Sequence, residues 1–165
     1  MLRPILILAI VLTAASASMA AQATVRTEAA DLQGSRTLQE QTERAAIRDY
    51  LQSWQAMSAA FEQNRADLLD PDFVGSAKDT LAATIQQQTA LGISTRYQDR
   101  THDLQLVFSS PEGLSIELTD NVEYDLQFFD HGRVKTAQHV SARYVIVLTP
   151  AEVRWRVRVF QGIPR

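Results

Sequence analysis

Near Ile93 the spacing of apolar residues changes from steps of three and four to steps of two, and it then stays at two through the last strand-like run. The first spacing marks a helix buried along one face, and the second marks a strand buried on one face. Helical segments that precede the strands predict an α+β domain. Before the switch, Ile47, Tyr50, Leu51, Trp54, Met57 and Phe61 form one stripe. Their helix starts at the capping box Thr37-Leu38-Gln39-Glu40 and ends near Asn64. Asp70-Pro71-Asp72 breaks the chain, because proline restricts its predecessor and cannot continue a helix. Ser76 with Asp79 starts a second helix, lined by Ala77, Leu81, Ala82, Ile85 and Leu91. Gly92 sits where a left-handed C-terminal cap belongs.

Beyond the switch the apolar sets are Leu104, Leu106 and Phe108; Leu114, Ile116 and Leu118 with Val122, Tyr124, Leu126 and Phe128; Val140, Ala142, Tyr144, Ile146 and Leu148; and Val153, Trp155, Val157 and Val159. Three turns separate them: Ser109 to Gly113, Asp130 to Arg133, and Thr149 to Glu152. The expected result is a long, curved, four-stranded antiparallel sheet. Phe108 would oppose Leu114, Ile146 would oppose Trp155, and Tyr144 would oppose Val157. Thr119-Asp120-Asn121 interrupts one run and reads as a bulge that bends the sheet. A sheet with one apolar face needs a cover, and the two N-terminal helices supply it.

The chain of 165 residues is sized for one domain. Its first residues are an address. Arg3 precedes the uncharged run Ile5 to Leu12, and Ser18-Met19-Ala20 places small residues at the positions a signal peptidase reads. Residues 1–20 thus read as a secretory signal, which predicts an exported chain, periplasmic or extracellular. The apolar run is shorter than the about 20 residues a span requires, so no stable membrane span is expected after cleavage. Residues 21–36 have few large apolar side chains and read as a flexible lead-in, and 37–162 form the domain. A formal charge of −3 argues against nucleic acid as a partner. With no cysteine, disulfides, thiol catalysis and thiolate metal sites are excluded.

The order helix, proline break, Phe73-Val74-Gly75, second helix and meandering strands resembles the cone-shaped fold of the nuclear transport factor 2-like superfamily, over about residues 40–161. Phe73-Val74-Gly75-Ser76-Ala77-Lys78, Ala142-Arg143-Tyr144-Val145-Ile146-Val147 and Val153-Arg154-Trp155-Arg156-Val157 are similar to the non-catalytic branch. That branch is found in the mitochondrial import-motor anchor and the chloroplast-division protein of the inner envelope. The resemblance implies a binding module. No catalytic residue of the superfamily's isomerases carries over onto this sequence.

The residues offer three kinds of site. His102, with Asp99 or Asp103, has the composition of a general base at the cone mouth, beside Tyr124; a polar rim histidine is the favoured reading. His102, His131 and His139 share no metal-ligand spacing, so no metal and no cofactor is expected. Tyr50, Trp54, Tyr97 and Tyr124 are positioned to line a pocket for a small apolar ligand; as aromatics at helical and strand spacing they more often form a core, which is the favoured reading. Arg143, Arg154, Arg156 and Arg158 form a basic strip on the outer sheet face, near Glu117, Glu123 and Asp125. A two-fold axis would bring the opposite charges together, so this face reads either as the interface for a protein partner or a homodimer, or as a solvated face with weak ion pairs. The sequence favours a non-enzymatic scaffold in the cell envelope. The alternative is a small-molecule binder or an isomerase/hydratase-like enzyme that uses the cone cavity.

Overall fold

The computed structural model describes residues 23–28 and 40–163. In chain order these form β1 (Thr24–Glu28), α1 (Glu40–Gln63), a short 3-10 turn at Ala66–Leu69, α2 (Gly75–Ala90), β2 (Ile93–Ser109), β3 (Ile116–Asp130), β4 (Arg133–Pro150) and β5 (Trp155–Ile163). The fold is α+β, with two helices on one face of a single sheet. That sheet has five strands, not four, in the order β1-β2-β3-β4-β5. The added strand lies within the segment expected to be a flexible lead-in and pairs parallel with β2, Thr24 beside Thr101 and Glu28 beside Gln105. The signal segment, the capping box at Thr37 and the rest of the lead-in lie outside the described residues.

The strand register departs from the expectation because the β2–β3 and β4–β5 hairpins close later in the chain than their turn signals suggest, at 110–115 and 151–154, and bulges add further shifts. β2 pairs with β3 through Asp99↔Tyr124 and then Thr101↔Glu123, which leaves Arg100 as an extra residue. An extra residue swaps the faces of everything after it. Thr95 is therefore buried before the bulge, and His102, Leu104 and Leu106 after it. A second shift between Leu106 and Phe108 turns Ser109 inward and leaves Phe108 exposed, opposite Glu117 rather than Leu114. At the other hairpin the later turn pairs Trp155 with Pro150 and Val157 with Leu148, and a third shift between Val147 and Leu148 then sets Ile146 against Phe160 and Tyr144 against Gly162. In contrast, β3 runs unbroken through Thr119-Asp120-Asn121, where a bulge was expected. Asp120 thus falls on the buried face between Leu118 and Val122.

α1 lays Ala46, Tyr50, Trp54, Met57 and Phe61 across that face, and Leu104, Leu118, Val122, Ile146 and Val157 meet them from the sheet. α2 begins at Gly75, one residue before Ser76, whose hydroxyl instead donates to the Arg158 carbonyl at 3.2 Å. Its Gln88 amide donates to the Phe61 carbonyl at 2.6 Å and accepts from Thr95 at 2.8 Å, tying the end of α1 to the start of β2. Gly92 turns the chain out of α2 at φ 67°.

Candidate functional site

The centre of the domain holds a polar cluster in an apolar setting. Tyr50 on α1 donates its hydroxyl to Asp120 Oδ2 on β3 at 2.7 Å, and His102 Nδ1 on β2 lies 2.7 Å from the same oxygen. The three side chains are 1%, 0% and 2% exposed in the order Tyr50, Asp120, His102. Among the described residues, Asp120 Oδ1 is buried without a hydrogen-bond partner. Burial holds the Tyr50 phenol well above its ordinary pKa, and the adjacent Asp120 adds to the effect, so Tyr50 stays a donor.

One turn along α1, Trp54 fills the space between helix and sheet. Its Nε1 donates to Asp99 at 2.7 Å, and its ring makes edge contacts with Tyr97, His102, Tyr124, Tyr144 and Phe160 at centroid distances of 5.0–6.1 Å. Tyr97 and Tyr124 lie 5.3 Å apart, and Tyr144 stacks on Phe160 at 4.6 Å. The Tyr124 and Tyr144 hydroxyls are 3.2 Å apart. Burial again lifts the phenol pKa values, of Tyr97 and of Tyr124, with Tyr144 contributing at both.

Of the residues singled out as a pocket, Trp54, Tyr97 and Tyr124 pack ring against ring and fill the interior, while the Tyr50 ring meets His102 edge-on at 6.5 Å. His102 is not at a rim. Its partner is Asp120 rather than Asp99, which holds Trp54, while Asp103 lies on the other face beside Arg26 and Glu123. Asp120 was missed by sequence reasoning. The available signal was parity, since Leu118, Asp120 and Val122 are two apart, and assuming a bulge there concealed it. His131 and His139 are exposed beside Asp130 and Asp125, and among the described residues no group of histidine and acidic side chains is placed to hold a metal ion.

The expected basic strip is divided. Arg154 reaches back to the buried Asp72 at 2.8 Å, and Arg156 donates to the carbonyls of Asp70 and Phe73, so both hold the connection between the helices. Arg158 is exposed at the shift in β5, and Arg143 pairs with Ile163 rather than standing beside Arg158. Glu117 and Glu123 sit on β3 opposite Val147 and Ser141.

No family model matches the sequence, and no curated protein matches it. Solved structures do. The intermembrane-space region of the chloroplast protein ARC6 aligns over 79% of this chain and 100% of its own length, with 11% identity and a TM-score of 0.62. A scytalone dehydratase-like protein from Novosphingobium aromaticivorans, its function inferred, aligns over 76% of this chain and 89% of its own, with 11% identity and a TM-score of 0.53. An NTF-2 like protein of unknown function from Shewanella oneidensis covers 70% of this chain and 97% of its own, with 11% identity and a TM-score of 0.41. The chain has the nuclear transport factor 2-like cone fold. That fold is shared by an organelle-envelope domain and by a dehydratase-like protein. Among the described residues, no helix is long and apolar enough to cross a membrane.

Proposed function

We propose that this chain is a non-enzymatic binding or scaffold module that works after export, in the cell envelope. The observation that carries the reading is the filled cone. An enzyme of this shape must admit a substrate to its reacting groups. Here Tyr50, His102 and Asp120 are no more than 2% exposed, and the Trp54 ring packs edge-on against His102 at 5.0 Å. The export component rests on the signal-like residues 1–20, and the likeness to an intermembrane-space domain is compatible with it.

One observation favours the small-molecule binder or isomerase/hydratase-like enzyme. A carboxylate oxygen with no partner among the described residues, Asp120 Oδ1, lies beside a tyrosine and a histidine in a single cluster, which is a set of groups suited to proton transfer. Native mass spectrometry of the protein recovered from its own compartment separates the two readings. The scaffold reading expects protein complexes and no small-molecule adduct. A small molecule that co-purifies with the wild type and is lost from Tyr124→Trp would replace it with the cavity reading.

A further inference from the structure

The fold treats the two edges of its sheet differently. Along β5, the segment Asp72–Val74 runs beside Val157: Val74 N donates to the Val157 carbonyl at 2.9 Å, and Val157 N donates to the Asp72 carbonyl at 2.8 Å. That edge is covered in its middle. At the other edge, among the described residues, β1 pairs with β2 alone, and all of Thr24–Glu28 is exposed. An open edge is a row of backbone donors and acceptors ready to take another strand. Beside it, between β1 and α1, runs a groove of about 870 Å³ whose lining includes Thr27, Glu43, Ile47, Arg48 and Leu51.

The side chains of β1 indicate which strand fits. Arg26 lines a polar recess on the outer face with Asp103 and Glu123, whereas Thr27 faces the α1 groove. Residues two apart share a face, so Glu28 lies on the same side as Arg26. Antiparallel addition of a second copy about a two-fold axis at Thr27 sets Arg26 opposite Glu28 of the second copy, and the symmetry makes that pair twice. Centring the axis on Arg26 would oppose two arginines, which is unfavourable. Charge therefore selects both the occupant and the register. The pairing of so short a strand falls well below the about 1,200–2,000 Å² that a stable interface buries. Ile47 and Leu51 in the α1 groove of each copy lie on the same face of the joined sheet, so that apolar lining flanks the seam on both sides.

We propose that β1 is a self-association edge: two copies pair antiparallel through Arg26–Glu28 into one continuous sheet, with their α1 grooves flanking the seam. This interface is separate from the outer-face strip expected from the sequence, and it does not depend on whether the cone holds a ligand.

Charge exchange tests it by sedimentation velocity on the chain as recovered from cells, with its N-terminus read by intact mass. Arg26→Glu and Glu28→Arg each oppose like charges and weaken association about tenfold or more. The double exchange restores it, and so does mixing the two single variants. A wild type that remains monomeric at every concentration, or single variants that associate like the wild type, overturns the proposal. A second measurement is independent of the charge variants. The natural chain has no cysteine, and strand residues on a two-fold axis sit about 4.5–5.5 Å apart at Cα, within disulfide reach. Thr27→Cys should therefore cross-link into a covalent dimer on oxidation. Failure to cross-link, or a complex containing a different protein in place of the second copy, overturns the proposal as well.

Discussion

Removing the Asp120 carboxylate should destabilise the fold more than removing either group that binds it. Asp120 is fully buried, and its Oδ2 is the acceptor at 2.7 Å for Tyr50 and the partner at 2.7 Å for His102. Asp120→Ala leaves both groups without that partner in a dry interior. Each stranded polar group costs about 1–3 kcal/mol, so the substitution should cost about 2–6 kcal/mol. That is a large share of the about 5–15 kcal/mol that holds a domain together. Tyr50→Phe removes its own donor, strands nothing on the tyrosine side and leaves the contact of Asp120 with His102, so it should cost about 1 kcal/mol. Urea denaturation followed by far-ultraviolet circular dichroism, with unchanged m-values, gives both numbers. In the double variant the cost should be less than the sum, because the hydroxyl that Asp120→Ala strands is already gone. The reasoning is refuted if Asp120→Ala costs less than Tyr50→Phe, or if the two costs simply add.

Two further outcomes follow from the same interior. Because burial raises the pKa of Tyr50, Tyr97 and Tyr124, the unfolded chain gives up phenolic protons that the folded chain keeps. Stability should therefore be full below the ordinary tyrosine pKa of about 10 and fall above it, with Tyr50 contributing up to about 1.4 kcal/mol per pH unit; urea midpoints measured across that range should flatten in Tyr50→Phe. Trp54→Ala should cost about 3–5 kcal/mol and open a cavity, so that calorimetry detects indole binding to the variant and none to the wild type, and equal binding by both would contradict a filled cone.

The sequence carried the fold and most of the core because both depend on spacing. The stripe Tyr50, Trp54, Met57 and Phe61 faces the sheet, and the switch of period at Ile93 coincides with the start of β2. Register was harder to read, because a bulge adds a residue without changing local composition. Arg100 carries no turn signal, yet it moves the inward parity from Tyr97 and Asp99 to His102 and Leu104. The interruption at Thr119-Asp120-Asn121 misled in the opposite sense, since a polar triplet in a strand suggests a break, whereas here the aspartate is buried against partners supplied by two other elements. β1 escaped notice because Thr24 to Glu28 buries almost nothing of its own side chains and is specified by pairing with β2 rather than by hydrophobic pattern. Edge strands of this kind leave little trace in composition.

These polar groups suit a rigid platform better than a reactive pocket. α1 is fixed to the sheet at three levels: Asp49 accepts from the Trp155 backbone N–H at 2.8 Å on β5, Tyr50 donates to Asp120 on β3, and Trp54 donates to Asp99 on β2. Three bonds from one helix to three different strands are satisfied together in only one axial position and rotation of that helix. Sliding α1 by a single residue would strand buried donors and acceptors at all three levels, at about 1–3 kcal/mol each, whereas an all-apolar interface would forgive the same slide more readily. The network therefore converts a greasy contact into a fixed alignment. The groove between α1 and β1 inherits that alignment, because its walls are the outward side of the same helix and the edge strand paired to β2. A partner strand meeting that edge finds Ile47 and Leu51 already in place, so little ordering free energy is lost when the surfaces close.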